Sequence, residues 1–306
     1  MSSVLVVGSV ALDSVETPFG RIDDALGGSA TYFAASASHL TSVQLVGVVG
    51  SDFPLEQFKP LQERGVQLDG LECAPGESFR WRGRYRHDLN TAETLETRLG
   101  VFSQFRPRIP AQFQRAPYVF LGNIDPRLQL DVLRQVERPR LVACDTMNFW
   151  IESRRNELLE LLGSVDILLL NDAEARQLTE EYNLIRAARW IRERGPKHVI
   201  IKKGEHGAYM FSEHSVFFAP AYPLEEVFDP TGAGDAFAGG FVGYLARSGR
   251  TDEAALRRAV VYGSTLGSFA VERFSVTRLL EIHRVDIAHR LEEFRRLVAF
   301  EEELDA

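Results

Sequence analysis

Short apolar runs alternate with amphipathic stretches along most of the chain. The runs end at glycine or polar positions and predict buried strands at 4–8, 44–49, 118–121, 141–144, 167–170 and 198–202. Helices are predicted between them at 29–40, 54–64, 128–137, 153–162, 173–179 and 185–194, and they dominate from 235 onward. Strands that alternate with helices favour an α/β fold with a doubly wound, mainly parallel sheet that is covered on both faces.

The segment 78–98 has a different pattern. Its halves, SFRWRGRYR and TAETLETR, alternate apolar or β-branched residues with charged ones, and HDLN lies between them. This alternation predicts a β-hairpin with one face in water. Because the hairpin interrupts the α/β pattern, we expect it outside the main sheet, as a small lid. The chain has no internal repeat or linker-like tract, so a single domain over 1–306 with a lid hairpin at about 78–98 is predicted.

Composition narrows the set of partners. The 306 residues carry a formal charge of −8, and nucleic acid is not expected because phosphate backbones favour basic faces. No apolar run reaches about 18 residues, so no membrane association is expected. The two cysteines, Cys73 and Cys144, lack metal or disulfide spacing, and we expect reduced thiols in a cytoplasmic protein.

The stretch DPTGAGDAFAGGF at 229–241 places a glycine-rich turn before an apolar helix. Gly232, Ala233 and Gly234 allow close approach of a ligand, and the N–H groups that begin a helix carry a partial positive charge. This arrangement suits a phosphate or a developing phosphoryl charge. Asp235 would repel a phosphate unless it has its own task, such as accepting a proton from an attacking hydroxyl. The alternative is that Asp235 only stabilises the start of the helix.

Two other nucleotide-binding signatures are excluded. The chain contains no GxxxxGK[ST], so it is not a P-loop protein. In GAGDAF, Phe237 stands where a dinucleotide fingerprint needs its third glycine, so a dinucleotide site is disfavoured.

Polar residues also follow two of the predicted strands. Asn171 and Glu174 come after 167–170, where they can hold Mg²⁺ through water and reach nucleotide phosphates. The same spacing is typical of a helix capping box. Lys202 and Gly204 lie at the end of 198–202, in a tight turn that suits an adenine nucleotide or forms a plain hairpin connection.

A further carboxylate lies near the amino terminus. Asp13 comes just past the first predicted strand, where it can accept hydrogen bonds from two hydroxyls of a polyol. Gly27 and Gly28 would let backbone amides approach the same ligand. The alternative is an ordinary loop aspartate and an ordinary turn.

Together these residues resemble the ribokinase (PfkB) family of carbohydrate and nucleoside kinases. The stretch at 229–241 resembles the family's C-terminal signature, of the type D-T-x-G-A-G-D. Asn171 to Glu174 matches its N-x-x-E motif, Gly27 and Gly28 match its double glycine, and Asp13 stands where the family places a substrate-binding aspartate. The order and spacing of these motifs cover nearly the whole chain, and the hairpin at 78–98 falls where members carry a β-sheet lid.

The resemblance implies a ribokinase-like fold, with an active site under the lid that phosphorylates a hydroxymethyl group with ATP and Mg²⁺. It implies that Asp235 is the catalytic base and that Gly232, Ala233 and Gly234 form the anion hole. The resemblance also implies that Asn171 and Glu174 interact with the nucleotide phosphates and, through water, with Mg²⁺. It implies that Lys202 and Gly204 lie near the nucleotide. Asp13, Gly27 and Gly28 would bind the substrate. Many members bind a monovalent cation such as K⁺ near the anion hole, and the position of Asp229 suits such a site. The lid strands of members often pair between subunits, so we also expect a homodimer.

Two positions depart from the family pattern. Sugar-specific members often read GGxxxN, whereas Tyr32 stands here in place of the asparagine, where its ring can narrow the pocket or stack on a nucleobase. Pro230 replaces the more usual threonine or valine. The sequence predicts a cytoplasmic sugar kinase, with a nucleoside kinase on the same scaffold as the alternative.

Overall fold

A computed structural model of the chain describes residues 2–299, so Met1 and residues 300–306, with the end of the predicted C-terminal helical region, lie outside it. The strands in chain order are β1 (Ser3–Val7), β2 (Ala11–Thr17), β3 (Gly20–Gly27), β4 (Ser42–Gly50), β5 (Val66–Ala74), β6 (Phe79–Tyr85), β7 (Ala92–Arg98), β8 (Tyr118–Leu121), β9 (Leu141–Asp145), β10 (Ile167–Asn171), β11 (His198–Lys202), β12 (Ala208–Phe211) and β13 (Val216–Ala219).

The α-helices follow the predicted pattern closely. They are α1 (Ser29–Ala37), α2 (Lys59–Glu63), α3 (Pro126–Leu133), α4 (Asn148–Ser153), α5 (Arg155–Leu162), α6 (Asp172–Thr179), α7 (Leu184–Arg192), α8 (Ala233–Ser248), α9 (Glu253–Ala270), α10 (Thr277–Glu281) and α11 (Arg284–Val298). Among the described residues, no helix combines the length and apolar character needed to cross a membrane.

Nine strands form the large sheet, in the order β13-β12-β11-β10-β9-β8-β1-β4-β5. All neighbours are parallel except at one end, where β12 is antiparallel to both β11 and β13. The order runs in opposite directions on the two sides of β1, which is the arrangement of a doubly wound sheet. The predicted fold class is therefore confirmed, together with all six predicted buried strands.

Alternate residues of the central strands enter two separate hydrophobic cores. Val4 and Val6 of β1 belong to the core that also contains α8 and α9, whereas Leu5 and Val7 belong to the core on the other face, with α3, α5 and α7. Because successive side chains of a strand point to opposite faces, one apolar run serves both cores. This explains why the buried strands read as continuous apolar runs.

A second sheet of four strands, in the order β3-β2-β6-β7, stands apart from the large one. It is antiparallel except for the β2–β6 pair, and β6 and β7 lie in the segment for which the alternation predicted a hairpin. The pattern did not predict β2 and β3, because their sequences mix aspartates and glycines with few apolar residues. These strands exist because β2 finds a partner in β6, which is remote in sequence.

Candidate active site

The carboxyl ends of three neighbouring strands bring polar residues together. Asp145 ends β9, Asn171 ends β10 and Lys202 ends β11, and the register aligns Asn171 with Lys202. In open α/β sheets, ligands bind outside the carboxyl ends of the strands near the point where the strand order reverses. Asn171 and Lys202 were predicted as site residues from the sequence, whereas Asp145 was not.

Lys202 and Asp145 form a buried ion pair. Lys202 Nζ lies 2.7 Å from Asp145 Oδ2, and only 17% and 7% of the two side chains are exposed. Burial lowers the pKa of Lys202, but the charges of Asp145 and Glu174 outweigh it, so the pKa is raised and the side chain stays an ammonium. Asp145 follows an apolar run as Asn171 does, and this shared position was the signal that could have identified it.

Asn171 and Glu174 form the capping box that was the alternative to a binding role. The Glu174 amide donates to Asn171 Oδ1 at 2.8 Å, and the Asn171 amide donates to Glu174 Oε2 at 2.7 Å. Burial and the neighbouring charge of Asp145 raise the pKa of Glu174 to about 7. The two roles are compatible, because the cap holds a carboxylate at the strand ends beside Lys202.

The glycine-rich turn lies against the polar cluster at the strand ends, which consists of Asp145, Asn171, Glu174 and Lys202. A Cβ on Gly234 would be 2.9 Å from Lys202 Nζ, so the ammonium sits directly beneath the turn. Gly232 has a left-handed φ of +73°, and a Cβ there would lie 2.2 Å from Cγ of Tyr32. Both the backbone angle and the contact with the ring therefore require glycine at position 232.

The turn leads into α8, a helix that is buried on most of its surface. The Ala233 amide donates to Pro230 O at 3.2 Å, and the Ala236 amide donates to Gly232 O at 2.8 Å. The amides of Gly234 and Asp235 lie between these bonds in the first turn, where a helix has no carbonyl of its own to receive them. The start of α8 is thus able to bind an anion.

Asp235 lies in the same first turn and is partly exposed. Burial and the charge of Asp145 raise its pKa to about 7, although Lys202 opposes the shift. A carboxyl group with a pKa near the operating pH is well suited to take up and release a proton. Perturbed carboxyl groups of this kind cluster at functional sites.

Asp13 faces the site from the four-stranded sheet β3-β2-β6-β7, which we name the lid sheet. It lies within β2, not in a loop, and only 5% of the residue is exposed. Burial raises its pKa to about 7; a hydrogen bond from Gly28 lowers it, and Asp229 and Asp235 raise it. The carboxylate packs directly on Gly27, because a Cβ there would lie 2.0 Å from Asp13 Oδ2.

Tyr32 and Asp229 are almost fully buried, at 1% exposure each. The hydroxyl of Tyr32 has no hydrogen-bond partner among the described residues, and burial with the charges of Asp229 and Asp13 raises its pKa. The Tyr32 ring packs against the Gly232 turn. Asp229 accepts from the amides of Thr231 and Ser275, at 2.9 and 3.2 Å.

The lid reaches both ends of the site. Thr231 Oγ1 donates to Tyr85 Oη of β6 at 3.3 Å, next to the glycine-rich turn. At the tip of the hairpin, Asn90 Oδ1 would be 2.6 Å from a Cβ on Gly204. The lid sheet therefore covers the cleft between the predicted substrate side and the predicted nucleotide side.

The charged residues of the polar cluster determine how the predicted Mg²⁺ can be held. Asp145, Glu174 and Asp235 share one ammonium, that of Lys202, and the pKa of two of these carboxyl groups is raised to about 7. Within residues 2–299, no group of three or more His, Cys, Asp or Glu side chains is arranged to bind a metal directly. The oxygens of Asp145, Asn171 and Glu174 at the strand ends are ligands of the kind that Mg²⁺ prefers, and proteins commonly hold this ion through one or two carboxylates, water and substrate phosphates.

Known proteins share both the sequence pattern and the fold. Residues 1–282 match the pattern of pfkB family carbohydrate kinases. A cytidine kinase from Thermococcus kodakarensis is 32% identical over 259 residues, which make up 83% of this chain and 92% of that protein.

Solved structures agree at the level of the fold. A nucleoside kinase from Burkholderia thailandensis in complex with inosine superposes with a TM-score of 0.78 at 19% identity, covering 95% of this chain and 97% of that one. A fructokinase from Vibrio cholerae O395 has the same TM-score and identity, with coverage of 95% and 99%. On the match over residues 1–282, the chain belongs to the pfkB family of carbohydrate kinases, which are phosphotransferases.

Proposed function

We propose that this kinase transfers the terminal phosphoryl group of ATP to the hydroxymethyl group of a nucleoside, with Asp235 as the catalytic base. The observation that carries the proposal is the position of Asp235. It lies in the first turn of α8, directly after the Gly232–Gly234 turn and with a pKa raised to about 7. A proton acceptor and an anion site are thus within one helical turn of each other.

The proposed step needs no covalent intermediate. Asp235 accepts the proton of the acceptor hydroxyl while the hydroxyl oxygen forms a bond to the γ-phosphorus. The bond from that phosphorus to the β,γ-bridging oxygen breaks, and ADP leaves with the electron pair. The backbone of the Gly232–Gly234 turn binds the charge that spreads over the transferring oxygens, and such prearranged donors contribute most in a site shielded from water.

Lys202 and its neighbours interact with the phosphates of ATP in the proposed step. Lys202 is positioned to move from Asp145 toward the phosphoryl oxygens, because its ammonium lies beneath Gly234. Asp145 keeps that ammonium oriented when no nucleotide is present. Asn171, Glu174 and Asp145 would hold Mg²⁺ through water, and the ion supplies positive charge to the phosphates of ATP.

The acceptor is inferred from the relatives and from the pocket. The sequence favoured a free sugar, with a nucleoside as the alternative, and kinase activity on one of these two classes is established by the family. A nucleoside is supported by the cytidine kinase at 32% identity, which covers most of both chains. In this proposal Asp13 accepts hydrogen bonds from two ribose hydroxyls, and Tyr32 stands at the position where sugar-specific members of the family often carry an asparagine.

The test compares Asp235→Asn with wild type on a panel of nucleosides and free sugars. We expect turnover of the preferred acceptor to fall by roughly 10²- to 10⁴-fold, because the acceptor hydroxyl loses its base. The matched control is Asp69→Asn, which changes an exposed aspartate on β5 far from the cluster and should keep full activity. Equal rates for Asp235→Asn and wild type would overturn the base assignment, and turnover of free sugars alone would overturn the choice of nucleoside.

Activation by a monovalent cation at Asp229 stays a prediction. Asp229 is buried beside the anion site, and each of its oxygens accepts one backbone amide. A titration of K⁺ at constant ionic strength, with Asp229→Asn as the variant, should show activation that the variant lacks. An identical response of the two proteins would argue against this site.

A further inference from the structure

Trp81 lies on the face of the lid that looks into the site. In the parallel pairing of β2 with β6, Trp81 is the register partner of Asp13. Side chains alternate along β6, so Trp81, Gly83 and Tyr85 share one face. That face is the inner one, because Tyr85 Oη contacts Thr231 of the glycine-rich loop.

The indole of Trp81 lies flat along its own strand. A Cβ on Gly83 would be 2.1 Å from Cη2 and 2.4 Å from Cζ2 of the ring, so the ring covers the Gly83 backbone. A glycine inside a strand often marks such a close approach. The Nε1–H group donates to Thr94 Oγ1 of β7 at 3.3 Å, which fixes the direction of the ring.

Part of Trp81 remains accessible. Trp81 is only partly buried, whereas the Gly83 backbone beneath it is buried. Trp190 on α7 differs, because the Arg194 guanidinium lies 3.3 Å from the centroid of its ring. Trp81 is thus an oriented aromatic surface one strand away from a carboxylate suited to ribose hydroxyls.

We propose that Trp81 is the stacking platform for the nucleobase of the acceptor, and hence a residue that determines specificity for nucleosides. This inference rests on the proposed function. Neighbouring strands are about 4.8 Å apart, so a ribose bonded to Asp13 carries its base within reach of the indole. Stacking accepts any base because every base has a π face, whereas a free sugar leaves the ring uncovered.

Binding is measured first, through the fluorescence of the protein, which contains three tryptophans. Titration with cytidine should quench part of the wild-type emission as the base stacks on Trp81. Trp81→Phe should still bind cytidine by calorimetry, because phenylalanine also stacks, but the quenching should be lost. The matched control is Trp190→Phe, which should bind cytidine and keep the quenching.

Kinetics supply the second measurement. Trp81→Ala should raise the KM for cytidine by about 5- to 150-fold, the range that corresponds to loss of one base–aromatic stack. The kcat should change much less, because the ring does not contact the transferring group. The KM for D-ribose, if it is accepted, should stay within about twofold, and Trp81→Phe should restore most of the cytidine affinity.

The outcomes separate this inference from the proposed function. If wild type phosphorylates cytidine but Trp81→Ala keeps its KM, or Trp81→Phe keeps the quenching, the platform is refuted and the nucleoside kinase stands. If Trp81→Ala raises the KM for cytidine and the KM for D-ribose equally, Trp81 stabilises the lid and does not recognise the base. If wild type accepts only free sugars, the nucleoside proposal fails, and the base platform fails with it.

Discussion

Replacing Asp145 with asparagine should move the acid side of the pH–rate profile to lower pH. The base must be ionised to accept a proton, so activity falls as pH drops through the pKa of Asp235, which burial and Asp145 raise to about 7. Removing the negative charge of Asp145 takes away one cause of that shift. It also leaves the Lys202 ammonium without its partner, free to favour the ionised form of Asp235.

The size of the effect follows from Coulomb's law. At an effective dielectric constant of about 20, two unit charges about 4 Å apart interact by about 4 kcal/mol, and at about twice that distance by about 2 kcal/mol. One pKa unit corresponds to about 1.4 kcal/mol, so the midpoint should fall by about 1 to 1.5 pH units. Lys202→Met removes the opposing positive charge and should move the midpoint the other way, to higher pH.

The assay is the pH dependence of kcat/KM for the acceptor at saturating ATP and Mg²⁺, compared between variants. Comparing midpoints avoids any dependence on overall rate, which both substitutions also reduce. Glu174→Gln and Asp13→Asn are the controls, because Glu174 and Asp13 also have pKa values raised to about 7. The charge of Asp235 raises both of these pKa values in turn, but Asp145 and Lys202 are the charges that shift the pKa of Asp235 most, so the control midpoints should move less than that of Asp145→Asn.

Two results would refute this reasoning. If the acid limb disappears in Glu174→Gln, the titrating group is Glu174 and not the proposed base. If Asp145→Asn and Lys202→Met move the midpoint in the same direction, the charges of the buried ion pair do not set the pKa of Asp235.

Two further predictions concern the turn and the stability of the protein. Gly232→Ala places a Cβ 2.2 Å from the Tyr32 ring and should lower kcat by roughly 10²-fold by displacing the anion site. Gly249→Ala is also at positive φ but meets nothing within 4 Å, so it should keep its kcat and lower the Tm less than Gly232→Ala does. Full activity of Gly232→Ala would show that the turn tolerates displacement. Without ligands, the Tm should fall from pH 5.5 to 7.5, because Asp13, Glu174 and Asp235 have pKa values of about 7 in the folded protein, above the usual range of carboxyl groups. The folded state therefore binds more protons than the unfolded state in that window and loses stability as these groups ionise. Asp13→Asn should flatten this slope, and an unchanged slope would exclude Asp13 as a contributor.

Local patterns predicted the parts of the fold that depend on neighbouring residues. The buried strands were predictable because both faces of each strand are covered, so a continuous apolar run has few other stable arrangements. The start of α8 was predictable because glycines and an aspartate before an apolar stretch indicate a helix end that binds anions. The lid strands β2 and β3 were missed, because a half-exposed strand depends on its partner more than on its own composition.

The sequence by itself determined the α/β architecture, the hairpin segment and the motifs at Asn171, Lys202 and 229–235, since each is written in a few consecutive residues. Only the tertiary structure brought Asp145 to Lys202 and placed their ion pair beneath Gly234. It likewise set Trp81 beside Asp13. The physical reason is that such contacts join residues far apart in the chain. They depend on strand order and register, which arise from the packing of the whole sheet and not from any local pattern.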